Sequence, residues 1–77
     1  MRKVYRIELD ELDLGQLLDG LEVRGEAWEK SAAYYRTGEA PDDFIVEECR
    51  DAEEAEKIAA HYRSIIDKIL NQQNAQS

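Results

Sequence analysis

A chain of 77 residues with 43% apolar and 36% charged side chains is composed like one folded domain, with no room for a second core. Its formal net charge of −8 disfavours direct binding to nucleic acid or an anionic lipid surface, and no apolar run reaches membrane-spanning length. At 8.9 kDa only about 63% of the unfolded surface would be buried, and the single Cys49 cannot form an internal disulfide, so a homodimer is expected.

Residues 3–9, Lys-Val-Tyr-Arg-Ile-Glu-Leu, place Tyr5, Ile7 and Leu9 on one face with polar residues between and beside them. That period of two predicts a half-buried strand rather than the unbroken apolar segment of a secretory signal. With one unpaired cysteine and no such signal, the cytoplasm is the expected compartment.

Asp13 followed by Gln16, with Leu12 able to reach Leu17, reads as a capping box with a hydrophobic staple and predicts a helix from Leu14. Leu14, Leu18, Leu21, Gly25, Trp28, Ala32 and Tyr35 recur in steps of four and three, which keeps one stripe on a helix face. Thr37, Gly38 and Pro41 end it, with Gly38 as the left-handed residue after the cap. Glycines inside the pattern weaken it, and Asp19-Gly20 is where a kink is expected. Gly25 lies in the stripe itself, where a missing side chain allows a neighbouring element to approach closely.

Residues 39–56 hold nine acidic side chains against the single Arg50, so this stretch carries a net charge equal to that of the whole chain. Residues 44–49, Phe-Ile-Val-Glu-Glu-Cys, predict a second short strand. Asp51, with Glu54 three residues on, caps a second helix whose seam is Ala55, Ala59, Tyr62, Ile66 and Ile69, widened by Ile58, Ile65 and Leu70. From residue 71 the apolar pattern stops, and 71–77 is expected to fray as a polar tail on a compact domain of residues 1–70. The fold expected is α+β: a small two-layer β-α-β-α domain, with two short strands packed against two helices and completed by dimerisation.

No spacing points to catalysis, a cofactor or a metal. His61 and Ser64 lack an orienting acid and an oxyanion site, and His61 with Cys49 would need further zinc ligands at no recognisable spacing. Gly15 and Gly20 are spaced like a phosphate loop, but Leu21 and Glu22 stand where lysine and a hydroxyl residue are required. Asp10, Glu11 and Asp13 lack the ligand spacing of a calcium loop.

The acidic stretch is the remaining signal. Glu53 and Glu54 suit a helix N-terminus, Glu53 can pair with Lys57, and Asp42 and Asp43 are ordinary turn residues. Glu47 and Glu48 are poorly suited to a strand, unless they protect an edge. Trp28, Tyr35 and Tyr62 read as core, whereas Tyr34 and Arg36 belong to residue types common at binding hot spots.

The expected function is a non-enzymatic module that presents Asp42, Asp43, Glu47, Glu48, Glu53 and Glu54, with Tyr34 and Arg36, to a basic protein. One alternative is a nucleic-acid mimic occupying the basic cleft of a DNA- or RNA-binding protein. Another is a small-ligand binder at a dimer interface, with a pocket lined by Trp28 and Tyr35.

Overall fold

Helix formation begins at Asp10, whose backbone is extended (ψ 173°) and whose side chain accepts a hydrogen bond from the Asp13 amide at 2.8 Å. The Leu14 amide donates to the Asp10 carbonyl at 3.0 Å, so the first turn is already closed before the expected start. Two aspartates three residues apart can each cap a helix, and the earlier one gains an extra turn while leaving Glu11 and Asp13 at the positive end of the dipole. The helix α1 therefore spans Glu11–Thr37 and not 14–37. It ends as expected at Gly38, which sits at φ 78° and donates its amide to the Tyr34 carbonyl at 2.7 Å.

This computed structural model describes residues 2–39 and 45–76. Its second helix, α2, spans Ala52–Gln76. Asp51 caps it, accepting from the Glu54 amide at 2.9 Å. Residues 71–76, read as the start of a polar tail, continue the helix as an exposed extension, since no glycine or proline interrupts them.

The two helices pack as a hairpin. All the stripe residues of α1 face inward to some degree, with Trp28 and Ala32 buried against Ala55 and Ala59 of α2 and Gly25 buried beside Tyr62. Ile66 is buried further along the seam, and Tyr62, Ile58 and Cys49 pack against the central cluster. At Gly25 an added Cβ would lie 3.4 Å from the Tyr62 Cβ, which makes this a point of close approach.

α1 is unbroken through Gly20. A Cβ at Gly15 or Gly20 would meet nothing within 4 Å. The double variant Gly15→Ala/Gly20→Ala should therefore gain about 2 kcal/mol from helix propensity, read as a higher urea midpoint with an unchanged slope. A lowered midpoint would mean that these positions need glycine for a reason other than space.

The α+β expectation is overturned: among the described residues there is no strand and no sheet, and the architecture is an all-helical hairpin. Residues 2–10 lie outside regular structure and lead directly into α1, with no strand or bridge assigned to them. Residues 45–49 also run outside regular structure, while Pro41, Asp42, Asp43 and Phe44 lie outside the described residues.

The physical reason at 45–49 is that side chains of α1 occupy the backbone groups a ladder would use. The Glu47 amide donates to Ser31 Oγ at 2.9 Å, the Cys49 amide to the Tyr35 hydroxyl at 3.3 Å, and that hydroxyl donates to the Glu47 carbonyl at 3.2 Å. Ser31, which is fully buried, itself donates to the Ala27 carbonyl at 2.8 Å.

The hairpin is more open than its size requires. Its accessible surface is 6483 Å², against roughly 4,800 Å² for a compact monomer of this mass. Its radius of gyration is 15.0 Å, against about 11.5 Å.

Candidate functional site

Of the acidic residues singled out from sequence, Asp42 and Asp43 lie outside the described residues. The others are mostly held by cations of the same chain. Glu47, half-buried, forms an ion pair with Arg24 and keeps that guanidinium protonated beyond its ordinary value. Glu54 pairs with Arg50 at 2.8 Å, and Glu53 with Lys57 at 3.2 Å, the pairing its spacing suggested. Glu48 is exposed and forms no ion pair among the described residues.

Arg36, expected as a contact residue, is engaged by Glu56 across the helix pair. Tyr34 stands edge-on to Tyr35, with ring centroids 5.4 Å apart and planes at 76°. Arg36 and Glu53 share a shallow groove with Tyr35, Asp51 and Ala52. Glu47, Glu53, Glu54 and Glu56 each pair with a cation, whereas Asp51 serves as the α2 cap.

A second groove runs between the helices, floored by Ala32, Ala33, Ala59 and Ala60. At one rim stands Arg63, a residue that sequence reasoning missed. Its guanidinium grips Glu29 through two hydrogen bonds, of 2.8 and 3.2 Å, and reaches Glu22 at 2.9 Å. These bonds hold the Arg63 pKa above its ordinary value and lower that of Glu29. The available signal was that Glu22 and Glu29 lie seven residues apart along one flank of the stripe.

Trp28 belongs to the core and lines neither groove. His61 is exposed on α2, and the Cys49 thiol is directed at the Asp51 carbonyl, 3.4 Å away. Among the described residues no group of histidine, cysteine, aspartate or glutamate could hold a metal, and no helix is long and apolar enough to cross a membrane.

Apolar exposure is the more prominent surface property. Val4, Tyr5, Ile7 and Leu12 are each at least 72% exposed, and Leu9, Leu17 and Val23 are at least 43% exposed. All seven belong to the N-terminal segment or the first half of α1, while Ile45 in the connector and Leu70 on α2 are exposed elsewhere. The period-two pattern of residues 3–9 predicts a half-buried face, whereas Tyr5, Ile7 and Leu9 are 45–73% exposed in the structure. No protein-family model, curated protein or solved structure matches this chain.

Proposed function

We propose that the chain is a non-enzymatic protein-interaction module whose working unit is a homodimer. The observation that carries this reading is the apolar exposure concentrated on residues 4–23, since many uncovered apolar side chains on one part of a small protein suit an interaction surface. The hairpin exposes about 1,700 Å² more than a compact chain of its mass.

The acidic stretch is a weaker candidate for the contact surface. Arg24, Arg36, Arg50 and Lys57 already neutralise four of its carboxylates, and a basic partner would have to displace them. A nucleic-acid mimic is weakened by the same pairing, because carboxylates that imitate phosphates need to be free of their own cations. The free Cys49 thiol supports a reducing compartment, and hence the cytoplasm, as the place of action.

Light scattering on a size-exclusion column tests the dimer. A mass near twice 8.9 kDa at micromolar concentration is expected, and a monomeric mass across the accessible range would overturn the reading.

A further inference from the structure

The N-terminal segment lies outside both helices and is extended where it meets α1, at Asp10, and its apolar residues alternate with charged ones: Tyr5, Ile7 and Leu9, with Arg6 and Glu8 between them, the pattern of a strand with one apolar face. The Lys3 ammonium sits over the Tyr5 ring at 5.4 Å, two residues along, as expected for neighbours on the same side of an extended chain. All that this segment lacks for a strand is a partner.

Its own chain does not offer one. The other non-helical segment, residues 45–49, has its Glu47 and Cys49 amides and its Glu47 carbonyl taken by Ser31 and Tyr35. Neither segment is assigned as a strand or bridge, so the two are not paired in this structure.

We infer that the partner is the same segment of a second copy, and that residues 3–9 form an antiparallel two-stranded ribbon across a two-fold axis at Ile7. This rests on the homodimer reading above and specifies the contact. A two-fold at Ile7 puts Ile7 opposite Ile7, Tyr5 opposite Leu9 on both sides, and Arg6 opposite Glu8 twice, so that each strand's cation faces the other's carboxylate. Centring the ribbon on Arg6 or Glu8 instead sets like charges against each other, and a slip of one residue turns the apolar face outward.

A bare two-stranded ribbon is marginal in water. This one has somewhere to rest: three apolar side chains from each copy close over the first halves of the two α1 helices, where Leu17 is still 43% exposed. The pairing uses the unpartnered backbone and the uncovered side chains together.

Cross-linking tests the position of the axis. In a Cys49→Ser background, Ile7→Cys should give a disulfide-linked dimer under mild oxidation, whereas Val4→Cys, on the opposite face and across from Asp10, should not. Charge exchange tests the facing residues. Arg6→Glu should raise the dimer dissociation constant about thirtyfold by sedimentation equilibrium, and Arg6→Glu/Glu8→Arg should restore it.

Residues 6 and 8 lie outside both helices, so the circular dichroism of each variant should match the parent. A parent dimer indifferent to Arg6→Glu, a charge exchange that restores nothing, or linkage at residue 4 in place of residue 7 would overturn the ribbon while leaving the dimer standing. A monomeric parent would instead remove the reading on which the ribbon rests.

Discussion

Trp28→Ala is expected to cost the hairpin about 3–5 kcal/mol, the usual range for emptying a large aromatic site in a core. Trp28 is 9% exposed and packs with Ala32, Ala55 and Ala59, so it is the one large side chain among the buried residues at the centre of the helix pair. The short side chains of Ala32, Ala55 and Ala59 cannot refill the space. The Arg24 guanidinium, 5.9 Å from the ring centroid, loses its cation–π contact as well. A chain of 77 residues has a total stability of about 4–12 kcal/mol, so at least a quarter of it would be lost.

Thermal melting followed at 222 nm should show the midpoint fall by at least 12 °C or so, or the helical signal disappear at room temperature. A fall of only a few degrees would mean that the helices are held chiefly by contacts outside this cluster.

The second large effect is expected when the connector's two anchors are removed together. Ser31→Ala/Tyr35→Phe deletes the acceptor for the Glu47 amide, the acceptor for the Cys49 amide and the donor to the Glu47 carbonyl. At about 1 kcal/mol for each bond, opening of this segment becomes easier by about 3 kcal/mol. The helices themselves lose no backbone bond.

The Cys49 thiol, half-buried against the core cluster, reports the opening. Its rate of modification by a maleimide should rise about a hundredfold while the helical signal changes little. Equal rates in parent and variant would show that packing of residues 46–49 holds the connector without these hydroxyls. Tyr35→Phe by itself should give an intermediate rate, since Ser31 still holds Glu47.

Both helices were legible in the sequence because their signals are local. The steps of four and three from Leu14 to Tyr35, the Asp51 cap and the glycine at 38 each depend on neighbours within a turn or two, and each has its counterpart in the structure. The start of α1 was misplaced by a turn because Asp10 and Asp13 are chemically equivalent caps, and sequence does not rank them.

The strands failed for a different reason. Alternation at residues 3–9 reports that a segment suits an extended, one-sided environment, but says nothing about whether a neighbouring strand exists in the same molecule. At 45–49 the competition was decided by Ser31 and Tyr35, more than ten residues away in the chain.

The candidate site divides along the same line. Glu53 with Lys57 is one turn apart and was readable, whereas Glu47 with Arg24 and Glu56 with Arg36 are separated by 23 and 20 residues. Those pairs depend on how the hairpin closes, so the acidic stretch looked more exposed in sequence than its ion pairs leave it. Arg36 is the clearest case: its residue type suggested a hot spot, and its place in the fold commits it to Glu56.

The seam of Ala32, Ala55 and Ala59 also bears on how the helices are aligned lengthwise. Small side chains raise only low ridges, so one helix can translate along the other with little steric resistance. Arg63 supplies what the alanines lack. By holding Glu22 on one side of Gly25 and Glu29 on the other, it opposes displacement in either direction, like a detent on a smooth rail. The three side chains are 37–55% exposed, so their attraction is screened by added electrolyte, whereas burial of Trp28 is not. Lengthwise alignment and lateral packing of this hairpin thus answer to different solution conditions.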